Sequence, residues 1–240
     1  MLIRISEGKK LIEIRNLVVL KNDKTLLDKI SFKWKNGLRY GIYGAKGAGK
    51  TALLDRLAGA AAIEEGSALI NGFDLQEEPL KARKFIGFLP HASVVYENMT
   101  PVEYLLYIAD IKGMGYEKAV RAVSALLDEA GVSPRRDCLI KNLSPFEQKC
   151  IGITQASLGK SDILIFDDPF RGLSPREIQK VQSLLDFLSE NATLIVSARD
   201  KAHVAPICDR VFSLSDGRLN EEELHPAEVE KETEEEKEEQ

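Results

Sequence analysis

The chain has 240 residues, 44% of them hydrophobic and 30% charged, with a formal net charge of −5. That balance fits a globular protein with one sizeable core or one domain of two lobes. No apolar run approaches the ~18 residues needed to cross a bilayer, and Met1 to Glu7 has neither a long apolar segment nor a cleavage site, so secretion is not expected and any membrane role falls to a partner chain. Cys138, Cys150 and Cys208 are odd in number and lack metal-ligand spacing, which reads as small core residues in a reducing compartment. His91, His203 and His225 are too scattered for a metal cluster. The charge is uneven: residues 221–240 carry eleven glutamates and two lysines, a local −9 that leaves +4 for the rest. A stretch so poor in apolar groups is expected to be a solvated, disordered acidic tail. A weakly positive body beside such a tail argues against a nucleic-acid partner.

In chain order, Leu11–Ile14, Ile30–Trp34 and Arg39–Tyr43 read as short strands. The third runs into a glycine-rich loop and then a helix with Leu53, Leu54, Leu57 and Ala58 on one face. Residues 101–130 carry two helical stripes, Val102, Leu105, Leu106 and Ala109, then Val120, Val123, Leu127 and Ala130. From Ile163 the pattern returns to buried strand (Ile163–Phe166), helix (Ile178–Leu188) and strand (Thr193–Val196), and Arg210–Leu214 before Ser215-Asp216-Gly217 reads as a strand and turn. Three helix starts, Thr100-Pro101-Val102-Glu103, Ser144-Pro145-Phe146-Glu147 and Ser174-Pro175-Arg176-Glu177, are capping boxes with proline at the first helical position. Strands alternating with helices predict an α/β fold with a parallel core sheet, and the helical middle predicts an inserted lobe over about 92–160. The domain is expected to end near residue 220.

Gly44-Ala45-Lys46-Gly47-Ala48-Gly49-Lys50-Thr51 fits G-x-x-x-x-G-K-[ST] in full, after a predicted strand and before a predicted helix. Glycines let such a loop wrap phosphates, and its N–H groups face them at the helix start. Lys50 would reach the β- and γ-phosphates of ATP, and the Thr51 hydroxyl would ligate Mg²⁺. Lys46 reads as a solvent-facing member of the loop. The strand Ile163–Phe166 ends in Asp167-Asp168, a carboxylate placed for a second Mg²⁺ contact; Asp167 is the expected holder.

The order Gly44–Thr51, Ile86–His91, Leu143-Ser144-Pro145-Phe146-Glu147-Gln148, Ile163–Pro169, Gly172-Leu173-Ser174-Pro175 and Val196–Asp200 resembles the ATP-binding domain of ABC transporters. The likeness covers nearly the whole chain to about Leu219, and Tyr96–Thr100 and Cys208–Val211 also resemble stretches common there. The closest flavour is the multidrug, antibiotic-resistance and gliding-type exporter group, whose permeases are separate chains. The resemblance implies a P-loop NTPase fold with an N-terminal antiparallel β subdomain and an inserted helical subdomain. It also implies a head-to-tail pair with a second nucleotide-binding domain, homo- or heterodimeric. Each ATP would lie between one phosphate loop and the partner's signature helix, where Ser144 would face the γ-phosphate. A permease would dock near residues 91–115, placing the chain in the cytoplasm at the inner face of the membrane.

Departures from the family pattern cluster on catalytic positions. The catalytic Glu falls on Asp168, one methylene shorter, and a general base must lie within hydrogen-bond reach of its water. The switch His falls on Arg199, which stays charged and can clamp a phosphate but cannot shuttle a proton; residues 197–211 align without a gap, so His203 is no shifted substitute. Pro145 and Phe146 replace the two signature glycines, removing one backbone donor and adding bulk. The Gln that couples the site to the permease falls on His91, an aspartate falls on Ser174, and the aromatic that stacks on adenine falls near Lys21 with no replacement, so base selectivity should be loose. ATP binding with weak or absent hydrolysis is therefore expected. A transporter motor and a non-hydrolysing regulatory or degenerate partner both fit the intact loop. A soluble ABC protein unrelated to transport fits less well, because tandem domains and long insertions are missing.

Overall fold

The computed structural model describes residues 11–21, 24–92, 95–159 and 161–224; the acidic stretch from 225 onward lies outside them. A four-stranded antiparallel sheet has the order β2-β1-β4-β5, built from β1 (Leu11–Lys21), β2 (Lys24–Lys35), β4 (Glu65–Ile70) and β5 (Phe73–Asp74). A six-stranded sheet has the order β10-β9-β3-β8-β7-β6, from β3 (Arg39–Tyr43), β6 (Ile86–Leu89), β7 (Ile163–Phe166), β8 (Thr193–Ala198), β9 (Arg210–Ser215) and β10 (Arg218–Glu222). Its pairings are parallel except β9 with β10. Helices are α1 (Lys50–Leu57), α2 (Pro79–Arg83), α3 (Pro101–Ile111), α4 (Tyr116–Glu129), α5 (Pro145–Ser157) and α6 (Pro175–Leu188). The expected α/β architecture is present, with α3, α4 and α5 falling between β6 and β7.

The central strands β7 and β8 of the six-stranded sheet are buried on both faces, so they read as near-continuous apolar runs. In β7, Ile163 and Ile165 face a core shared with α1 and the antiparallel sheet, where Ile12, Trp34, Leu53 and Leu57 also lie. Leu164 and Phe166 face the opposite core, with Leu105, Val123, Ile151 and Leu185 from the other helices. This is the period-two alternation of a strand, and each such side chain contributes roughly 1.5–3 kcal/mol on burial. Trp34 stacks between Phe32 and Tyr40, with ring centroids 3.9 and 4.6 Å away. The Tyr40 hydroxyl donates to Lys35 O and accepts from Lys35 N, which joins the end of β2 to β3. Helix α5 lies directly on β6: a Cβ at Gly87 would sit 2.1 Å from Ala156 O.

Several elements differ from the sequence reading. The first two strands are 11 and 12 residues long rather than short, because β1 shifts register between Ile14 and Leu17 and Asn16 takes φ 48°. That bulge breaks the alternation that marks a strand while the ladder continues past it. Helix α6 begins at Pro175, as its capping box implies, three residues before the periodic stripe from Ile178. β4 and β5 have no counterpart in the sequence reading. The turn Asp216-Gly217 has φ 49° and 72°, the two left-handed residues of a type I′ hairpin. It leads into β10, a strand the sequence reading did not include, which runs to Glu222. Glu221 pairs with Arg210, and Glu222 accepts from Tyr43.

Candidate functional site

The residues after β3, β7 and β8 meet the amino end of α1 at a cavity of about 590 Å³, the position where ligands sit in open α/β sheets. Gly49 caps α1 with φ 106° and no side-chain hydrogen bond. A Cβ there would lie 2.7 Å from Leu27 Cδ2, so only glycine fits both the backbone and the space. The first N–H groups of α1 are left for a ligand. Gly47, Gly49, Lys50 and Thr51 line the cavity, as does the exposed Lys46. Gly44, Ala45 and Ala48 form the loop behind, with Lys50 Nζ donating to Gly44 O and Ala45 O. Burial pushes the Lys50 ammonium below the usual lysine range, opposed by the charges of Asp168 and Asp167.

Opposite Lys50, the Ser197 hydroxyl donates to Asp167 Oδ1 at 2.6 Å and accepts from Asp168 N at 3.0 Å. One buried serine thus fixes both acids. Asp167 Oδ2 is buried without a hydrogen-bond partner, which costs on the order of 1–3 kcal/mol or more unless a cation or donor meets it. With Thr51 on the same cavity, this orphan oxygen fits Mg²⁺, which takes one or two protein ligands and completes its shell with water and phosphate. Asp168 is buried at φ 52°, and its Oδ2 lies 3.9 Å from Arg199 Nε. His91 Nδ1 stands 4.0 Å from Asp167 Oδ2, and its Nε2 lies 2.7 Å from Arg171 Nη1.

The cavity thus brings together Lys46, Gly47, Gly49, Lys50, Thr51, His91, Asp167, Asp168 and Arg199. Ser144 is not among its lining residues. Ser144 is exposed at the start of α5, where its Oγ accepts from Glu147 N at 3.2 Å and its N–H donates to Glu147 Oε2 at 2.7 Å. Phe146 is half-buried against the helical core, with Lys180 Nζ 5.6 Å above its ring, so much of the bulk expected at the exposed end of the helix turns inward. His203 packs beside Phe170, away from the cavity. Sequence reasoning missed Ser197, Asp55, Leu20 and Arg171. Leu20 is 64% exposed and lines the cavity with Val19 and Leu26, an aliphatic surface at the edge where an aromatic was sought near Lys21. Burial and the Asp167 charge hold the Asp55 carboxyl above its usual range.

Residues 27–171 match the ABC transporter family. The chain is 25% identical over 210 residues to the linearmycin resistance ATP-binding protein LnrL of Bacillus subtilis, covering 87% of this chain and 68% of that protein. It is 26% identical over 208 residues to the retinal-specific phospholipid-transporting ATPase ABCA4 of mouse, covering 86% of this chain but only 9% of that much longer protein. Its fold superposes with TM-score 0.80 and 22% identity on a dimeric, ADP- and Pi-bound ATP-binding cassette, MJ0796, covering 89% of this chain and 99% of that one. With the phosphate loop, the paired acids and the inserted helices in these positions, the chain belongs to the ABC transporter family, as an ATP-binding domain.

Proposed function

We propose that the chain binds Mg-ATP in this cavity and, head-to-tail with a second nucleotide-binding domain, gates a separate membrane permease while hydrolysing ATP weakly. The observation that carries this is the setting of Asp168. The acid at the general-base position, Asp168, is buried, a methylene short, and faced by a guanidinium that cannot take its proton onward. The phosphate loop beside it is complete, so binding is kept where turnover is weakened.

Other features support the same reading. Ser144 stands exposed at a capped helix start, outside its own chain's cavity and available to a neighbour's nucleotide. Pro145 offers no N–H there. The dimeric state of MJ0796 and the resistance role in LnrL's name support a paired cassette serving an exporter. Among the described residues no helix is long and apolar enough to cross a membrane, so contact with one would run through the permease.

Direct ATP titration beside steady-state ATPase measurement tests this. The expected result is saturable binding with a turnover that Asp168→Asn changes by less than about threefold. Asp168→Glu alone is expected to raise the rate by less than about tenfold, since misplacement by 1 Å accounts for on the order of 10²-fold only where the rest of the site is intact. Ordinary turnover abolished by Asp168→Asn would instead make the chain a motor.

A further inference from the structure

Arg171 lies in the turn after β7, at a position that no motif marks. Its backbone is held on two sides: Arg171 N donates to Asp168 O at 3.3 Å, and Lys149 Nζ of α5 donates to Arg171 O at 3.0 Å. Its side chain crosses to the loop after β6 and meets His91 Nε2 at 2.7 Å. A guanidinium has five N–H donors, no acceptor, and keeps its charge. Nε2 of His91 must therefore accept, and the ring hydrogen of neutral His91 sits on Nδ1. That nitrogen is the one facing the orphan oxygen of Asp167 at 4.0 Å.

The placement matters because metal–nitrogen and metal–oxygen bonds of about 2.0–2.2 Å let two ligands of one ion stand up to roughly 4.2 Å apart. A bare Nδ1 here would be within reach of a metal on Asp167 Oδ2. Imidazole ligation would favour Co²⁺, Ni²⁺ or Zn²⁺ over Mg²⁺. A protonated Nδ1 cannot ligate; it offers a hydrogen bond to Asp167 or to water on the ion.

We propose that Arg171 is a positioning residue that locks His91 as a hydrogen-bond donor, so that the imidazole serves the metal's outer sphere and is barred from the metal itself. The metal half of this rests on the nucleotide reading above; the tautomer half does not. The consequence is that a site carrying a histidine beside its metal-binding acid keeps the preference of an all-oxygen site.

The test begins with ¹⁵N-histidine spectra of the whole nucleotide-free chain at pH 8.5, with His91 assigned by its loss in His91→Asn. The wild-type ring is expected as the Nδ1–H tautomer. Arg171→Lys, which also only donates, should retain that tautomer, and Arg171→Met should move the ring toward Nε2–H. An Nε2–H ring in the wild type, or one unmoved in Arg171→Met, overturns the proposal. The second readout is ATP affinity with Co²⁺ relative to Mg²⁺. That ratio should rise about tenfold in Arg171→Met, within the 10–100-fold that outer-sphere partners command, and fall back when His91→Ala is added. An unchanged ratio alongside a moved tautomer overturns the metal exclusion alone. Loss of all ATP binding at wild-type phosphate-loop residues would count against the nucleotide reading and leave the tautomer result standing.

Discussion

Lys50→Ala is expected to weaken ATP binding by at least about 100-fold, read by equilibrium titration. Lys50 is the buried cation of the cavity, and a charge-assisted hydrogen bond to phosphate is worth roughly 1.5–3 kcal/mol, with two such bonds open to it. Each 1.4 kcal/mol is about tenfold in affinity. Without nucleotide the ammonium is satisfied by the carbonyls of Gly44 and Ala45. Truncation therefore costs the fold two local bonds but costs the ligand its main counter-charge. The melting temperature should move by only a few degrees. Unchanged ATP affinity would mean that this loop does not hold the phosphates.

The largest effect on stability is expected at Gly87→Ala. The added methyl would lie 2.1 Å from Ala156 O and 2.9 Å from Ala156 C and Leu164 Cδ2, far inside contact distance and against backbone. The only relief is to lift α5 from β6, which also pulls Gln155 Nε2 from Phe88 O. Overpacking of this kind costs roughly 1–3 kcal/mol, and more where backbone must move. For a chain of this size each kcal/mol lowers the melting temperature by about 2–4 °C. Denaturant unfolding should show a lower midpoint with an unchanged slope. Wild-type stability would show that α5 is not seated on β6 through this contact.

Much of the cavity's lining was legible because it is written locally. The glycine-rich loop is eight consecutive residues, and Asp167 and Asp168 close an apolar run whose burial on both faces is plain from Ile163 to Phe166. The long first strands were not legible, since Asn16 takes a left-handed turn inside the ladder and resets the alternation. Ser197 was hidden for a different reason. It reads as one more small residue at the end of a buried strand, and its role exists only because β8 lies beside β7 in parallel register. Arg171 belongs to the same class: its meaning depends on His91, eighty positions earlier, and no local pattern links them. The exposed Leu20 was passed over because an aromatic ring was the expected platform at that edge of the cavity.

The alternation along β7 has a consequence for how the molecule comes apart. Ile163 and Ile165 close one core while Leu164 and Phe166 close the other, so the strand is a party wall between them. Withdrawing it to melt the helical side would strip the nucleotide side of its floor in the same event. Slow amide exchange in β7 should therefore report the opening of the whole domain rather than of either half.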